Sequence, residues 1–168
     1  MESRSGHEIF ILMAFCDSGD LEERIKEATA AGVPFDEQTV MDWLIQLMLA
    51  LAYLHARHII HRDIKPGNIF LSRNNTIVKL GDFGLTRALD SSTALARTTI
   101  GTPYYMAPEQ CMGQEYNTQA DVWALGVVAY KMLALKLPFP ARSFAELRGK
   151  ITSAKPAPVS DAYSVPLR

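Results

Sequence analysis

The sequence is short of several things, and each shortage excludes something. It holds only two cysteines in 168 residues, Cys16 and Cys111. Two thiols make no disulfide framework, so a reducing compartment is expected. Neither sign of charge is in excess: 17 Lys and Arg against 18 Asp and Glu leave a formal net charge of −1. That removes the electrostatic case for nucleic acid or an anionic membrane as partner. Long hydrophobic runs are missing as well. The longest, Val122 to Leu135, is interrupted by Lys131 and is too short to span a bilayer. The first eight residues are polar and the apolar run behind them is short, which is not the pattern of a signal peptide. No internal repeat and no composition shift divides the chain. What remains, 48% hydrophobic and 21% charged residues, is ordinary for one soluble domain with a sizeable core.

Periodicity supplies the elements. Ile9 to Phe15 is a continuous apolar run and reads as a buried strand. Asp20 followed by Glu23 resembles a capping box, so a short helix is expected from Leu21 to about Ala31, ended by Gly32 and Pro34. Val40, Leu44, Leu47, Leu51 and Leu54 form one apolar stripe of a long helix from near Asp36 to near Arg57. Ile69–Leu71 and Ile77–Leu80 read as a hairpin turning at Asn74-Asn75. Leu85 to Tyr105 reads as a long loop, and loops of that length are usually functional or disordered. Ala120 to Leu135, apolar on nearly every side, reads as a buried helix, and a weak helix follows around Phe144 to Ile151. The tail from Ala154 is rich in Pro, Ala and Ser.

Four segments carry chemistry. They are His61-Arg62-Asp63-Ile64-Lys65-Pro66-Gly67-Asn68, Asp82-Phe83-Gly84, Gly101 to Glu109, and Asp121-Val122-Trp123-Ala124-Leu125-Gly126. Phosphoryl transfer asks little covalent chemistry of a protein. It needs a base or orienter for the attacking hydroxyl and cations to neutralise phosphate charge. Asp63 can accept a hydroxyl proton, Lys65 can reach a phosphate, and Asn68 and Asp82 offer hard oxygens of the kind Mg²⁺ takes.

These segments, in this order and spacing, resemble the catalytic loop, the metal-binding Asp-Phe-Gly element and the Ala107-Pro108-Glu109 element of protein kinases. The resemblance covers essentially the whole chain. Ile11 to Cys16 followed by Gly19-Asp20-Leu21, and the stretch Gly101 to Pro108, are similar to the hinge and activation segment of the NIMA-related (NEK) family. Asp42-Trp43, Gln46, Leu49-Ala50-Leu51, His55 and Leu95-Ala96-Arg97-Thr98 resemble that family too. Lys65-Pro66 and Gly101-Thr102 resemble serine/threonine rather than tyrosine kinases.

The resemblance implies a mainly α fold of the α+β kind: the large lobe of a kinase, with a small hairpin at the cleft and one strand leading into a hinge. Residues 1–17 would be the last small-lobe strand and hinge, and 18–168 a large lobe ending before its last helices. It implies an enzyme that transfers the γ-phosphate of ATP, with Mg²⁺, to serine or threonine hydroxyls of proteins. Asp63 would be the base, Lys65 the phosphate-contacting cation, and Asn68 and Asp82 the metal ligands. Met13 would be the gatekeeper, Ala14 and Cys16 would present backbone groups to adenine, and Phe70 would floor the ring. Thr98 would be the activating phosphosite with Arg62 as its partner, Thr102 would bond Asp63 and Lys65, and Asp121 would anchor the catalytic loop. Leu85 hints at serine over threonine as acceptor. Cytoplasmic, centrosomal, ciliary or nuclear settings, and kinase or cytoskeletal partners, follow by family analogy alone.

Other residues have plainer readings. His61 and Phe83 would pack against each other. His55 and His58 sit at a helix end and take no role, and Glu22, Glu23, Arg24 and Lys26 form a solvated helix face. Trp43 and Trp123 are core or groove residues, and both cysteines plain thiols. The sequence contains no Gly-rich loop, no Val-Ala-Ile-Lys-like strand and no arginine to pair with Glu109 as relatives do. Two readings follow: part of an active kinase, or a non-catalytic remnant that binds partners or regulates them.

Overall fold

The computed structural model describes residues 12–81 and 103–164. Within them the helices begin where the sequence supplies caps. Helix α1 (Leu21–Ala31) starts at Asp20, whose carboxylate accepts from the Glu23 N–H at 2.9 Å. It ends at Gly32, left-handed at φ 65°, which gives its N–H to the carbonyls of Ala28 and Thr29. Helix α2 (Glu37–His55) starts at Asp36, which accepts from both the N–H and the hydroxyl of Thr39. All five residues of the expected α2 stripe are buried. Burying each contributes roughly 1.5–3 kcal/mol.

Strands β1 (Ile69–Ser72) and β2 (Ile77–Leu80) pair antiparallel, with Ile69 opposite Leu80 and Ser72 opposite Ile77. Their turn runs through Arg73, Asn74 and Asn75, all at positive φ. Asparagine tolerates that region better than most residues. Three side chains fasten the turn from outside. Asp17 accepts from the Arg73 N–H, and Trp43 Nε1 donates to the Asn75 carbonyl at 2.7 Å. Gln46 pairs its amide with the free edge of β2, accepting from Val78 N and donating to the Thr76 carbonyl.

Helix α3 is the short turn Pro108–Cys111, and α4 spans Thr118–Ala134 behind the cap Asn117. Helix α5 (Phe144–Ser153) is capped by Ser143. The main core joins α1, α2, the hairpin and α4 through residues such as Leu21, Leu47, Ile69 and Val128. A second cluster packs Cys111, Phe139, Leu147 and Ile151, with Trp123 stacked on Phe139 at 6.3 Å. No helix among the described residues is long and apolar enough to cross a membrane.

Several expectations need correction. The strand expected over Ile9 to Phe15 lies partly outside the described residues. Its described end is not a strand: Leu12, Met13 and Phe15 are exposed, with Leu12 at 101%. An apolar run forms a strand only against a neighbour that pairs its backbone, and among the described residues the sheet has two strands, β1 and β2. The tail from Ala154, for which the sequence offers only a composition, takes part in the core. Tyr163 is 5% exposed, sits in the main core, and donates its hydroxyl to the Phe35 carbonyl at 2.8 Å. Nor is Glu22 simply a solvated residue: its carboxylate holds Lys131 of α4 at 2.7 Å.

Candidate active site

The segment between α2 and β1 is irregular, and Asp121 holds it in place. Asp121 is 0% exposed and lies in the first turn of α4. Its Oδ2 accepts from the His61 N–H at 2.9 Å and meets His55 Nε2 at 2.8 Å. Its Oδ1 accepts from the Arg62 N–H at 3.0 Å and from the Tyr116 hydroxyl at 2.9 Å. Four partners on two oxygens satisfy a buried carboxylate, which unpaired would be costly. Two of these bonds fix Arg62 at φ 71°, a left-handed conformation that costs a non-glycine residue about 1 kcal/mol. The kink delivers the next residue, Asp63, to the surface.

Asp63 is 45% exposed at its side chain. One oxygen, Oδ2, accepts from Lys65 Nζ at 2.7 Å and from Asn68 Nδ2 at 2.8 Å. Asn68 Nδ2 also donates to the Asp63 carbonyl at 2.8 Å. Asn68 is 4% exposed and ends a single 3-10 turn, Pro66–Asn68, that the sequence did not announce. Its carbonyl accepts from the Gly81 N–H, so the end of β2 lies beside it. His61 is buried, with Nε2 2.9 Å from the Gly81 carbonyl and Nδ1 accepting from the Asp63 N–H at 3.3 Å. An acceptor at Nδ1 and a carbonyl at Nε2 together call for the neutral imidazole with its proton on Nε2. His61 thus ties the 61–68 segment to the residue before Asp82.

The structure brings Asp63, Lys65, Asn68, His61, Arg62 and Asp121 together. Phe70 is half-buried on β1 with its ring across Gly81; a Cβ there would lie 2.8 Å from Phe70 Cδ2. Met13 and Ala14 are exposed, outside any packed pocket, and Cys16 is half-buried. Glu109 lies in the first turn of α3, half-buried. Asp82, Phe83, Leu85, Thr98 and Thr102 lie outside the described residues. Burial raises the Cys111 thiol above its ordinary value, which suits an inert side chain.

Two residues of this network take a place that sequence reasoning did not give them. His55 had been left without a role at the end of α2; it bonds Asp121 across 66 residues of chain. Tyr116 is half-buried, and burial first, then the Asp121 carboxylate, push its phenol far above the ordinary range. Its hydroxyl therefore stays a donor. No local signal marks Tyr116, because its partner is fixed only by the fold.

The chain matches the protein kinase domain over residues 3–162. This chain belongs to the protein kinase family. Human serine/threonine-protein kinase Nek5 is 47% identical over 156 residues, which is 93% of this chain and 22% of Nek5. Mouse Nek1 is 48% identical over 160 residues, 95% of this chain and 13% of Nek1. Human Nek2 is 42% identical over 166 residues, 96% of this chain and 37% of Nek2. The resemblance to Nek serine/threonine kinases expected from the sequence is thus shown. The kinase chain spans well under half the length of these relatives.

Within a kinase the geometry has a chemical sense. Asn68 spends its amide nitrogen on Asp63, which leaves it a carbonyl oxygen of the hard kind that Mg²⁺ accepts. Among the described residues no group of three or more His, Cys, Asp or Glu could hold a metal.

Proposed function

We propose that these residues serve ATP-dependent transfer of a phosphoryl group to serine or threonine hydroxyls of protein substrates. The observation that carries the reading is the clasp on Asp63. Lys65 and Asn68 both donate to Oδ2. A second oxygen remains to face an incoming hydroxyl. The ionised carboxylate is the state that accepts a proton. Asp63 would orient the hydroxyl and take its proton as it attacks. Lys65, 44% exposed beside Asp63, would swing to the transferred phosphoryl oxygens while keeping charge balance in the loop. Asn68 and Asp82 would hold Mg²⁺, whose contribution when bound is to neutralise charge on the phosphates. Met13, Ala14, Cys16 and Phe70 would line the adenine side. Thr98 would be the activating phosphosite facing Arg62, since a phosphate beside an arginine gains charge-assisted hydrogen bonds.

The test is transfer of labelled phosphate from ATP to casein by the purified 168-residue chain, beside Asp63→Asn and Asp82→Ala chains. Transfer by the parent alone supports the proposal. A parent as inactive as its variants, while folded, sinks it for this polypeptide and leaves a protein-binding or regulatory role. The exposure of Leu12, Met13 and Phe15 is the feature that favours that second reading.

A further inference from the structure

Helix α2 carries two apolar stripes, and the core uses one. Val40, Trp43, Leu44, Leu47, Leu51 and Leu54 are buried. Ile45, Met48, Leu49, Ala52 and Tyr53 recur on the opposite side and stay outside. Ile45 is 44% exposed, Met48 51%, Leu49 65% and Tyr53 58%. Asp42, Ile45, Leu49, Ala52 and Ala56 follow one another at three, four, three and four residues, the seam spacing of packed helices. A solvated helix face ordinarily holds charged residues at such positions. This one holds no Lys, Arg, Asp or Glu between Asp42 and Arg57.

The charges stand at the two ends of the stripe. Asp42 is exposed at the N-terminal end, with one carboxylate oxygen on the Gln38 amide at 2.8 Å. Arg57 is exposed at the other end, its guanidinium 3.6 Å above the centre of the Tyr53 ring. Asp42 precedes Leu49 and Arg57 follows it, each by roughly 10–12 Å along the axis. The stripe is thus balanced about Leu49 and opposite in charge at its ends. A parallel mate would set Asp42 on Asp42 and Arg57 on Arg57. An antiparallel mate sets Leu49 on Leu49, Ile45 on Tyr53, and Asp42 on Arg57 twice. It also opposes the two helix dipoles. Such a contact uses the same patch on both partners and closes at two copies.

We propose that the outer face of α2 is a self-association surface, on which a second copy of this chain packs its own α2 antiparallel across Leu49. The stripe exposes roughly 300 Å² per chain, reckoned from half-exposed aliphatic side chains and one aromatic ring. With the polar flanks that two packed helices also cover, the pair buries on the order of 1,000 Å², the low end of specific interfaces. The dimer is therefore weak, with Kd in the micromolar range. The surface shares no residue with the candidate active site, so it stands or falls apart from the kinase reading.

Sedimentation velocity on the 168-residue chain, from about 5 to about 500 μM, tests the proposal. The parent should pass from monomer to dimer within that range. Leu49→Glu should raise Kd about tenfold or more, with the circular dichroism and urea midpoint of the parent, since Leu49 packs against little in the monomer. Asp42→Arg and Arg57→Asp should each raise Kd several-fold. An equimolar mixture of those two chains should recover the affinity of the parent, because each then meets the opposite charge. A parent that stays monomeric throughout overturns the proposal and leaves the stripe to some other partner. Association that runs past the dimer, a Kd unmoved by Leu49→Glu, or a mixture no tighter than the single variants overturns it too. Should Leu49→Glu fold poorly, the two charge variants and their mixture decide.

Discussion

Replacing Asp121 by asparagine keeps its size and shape and turns one acceptor oxygen into a donor. Each oxygen of Asp121 faces two partners: His61 N–H and His55 on one, Arg62 N–H and Tyr116 hydroxyl on the other. Whichever way the amide is turned, one backbone N–H is left facing a donor, and the His55 ring nitrogen or the Tyr116 hydroxyl beside it keeps a bond only by turning acceptor. Hydrogen bonds to a charged group are worth about 1.5–3 kcal/mol each. The site is wholly buried, so water cannot substitute. The expected loss is about 3–5 kcal/mol, against a total stability of about 5–15 kcal/mol. With a urea m-value of about 2 kcal/mol/M, the unfolding midpoint should fall by roughly 1.5–2.5 M. Tryptophan fluorescence reports it, since Trp43 is buried in the main core. Tyr116→Phe, which removes one donor and leaves the carboxylate three partners, should cost only about 1–2 kcal/mol. A midpoint shift below about 0.5 M for Asp121→Asn, or a larger loss for Tyr116→Phe, would refute the view that this carboxylate is the hub of the catalytic loop.

Alkaline pH should destabilise the chain. The phenols of Tyr105 and Tyr116 are both raised in the fold by burial, so the folded state keeps protons that the unfolded chain releases above about pH 10. Their stabilisation is complete below that pH and is lost above it, by up to about 1.4 kcal/mol per pH unit for each; urea midpoints at pH 9 and 11 should show it, with a shallower fall in Tyr116→Phe. Gly81→Ala should cost about 1–3 kcal/mol, because its Cβ would overlap the Phe70 ring and the ring must shift. A thermal midpoint equal to the parent's would show that the ring moves freely. Tyr163→Ala should cost about 3–5 kcal/mol by emptying a core position, and an unchanged urea midpoint would mean the tail is only draped on α2.

The parts of the fold that could be read from the sequence are those decided locally. Asp20 with Gly32, and Asp36 with the α2 stripe, mark their helices because caps and periodicity act within a few residues. The hairpin was legible because two β-type runs flank residues that accept positive φ. Helix α3 and the 3-10 turn were not, because four and three residues carry no period. The described end of the strand expected at Ile9 to Phe15, Leu12 to Phe15, departs from expectation for the opposite reason. Its composition is that of a strand, but a strand exists only with a partner, and partnership is not a local property.

The same distinction divides the site. Asp63, Lys65 and Asn68 lie within six positions, and their meeting follows from one tight loop, so the motif itself announces the geometry. Tyr116 and Asp121 are also near in sequence, but their bond matters only because Asp121 reaches back to residues 61 and 62. His55 and Lys131 are harder still. A histidine at a helix end and a lysine in an apolar helix each have an ordinary local explanation. Their partners, Asp121 and Glu22, lie 66 and 109 residues away. Both are charged or chargeable groups held by a carboxylate, wholly buried in Asp121 and partly buried in Glu22. In both, the polar residue lies on or against α4, the helix that the core surrounds. A polar side chain in so apolar an element is a signal in its own right, because burial there is affordable only with a partner. Lys131 could have been questioned on that ground from the sequence, though only the fold could say that Glu22 answers it.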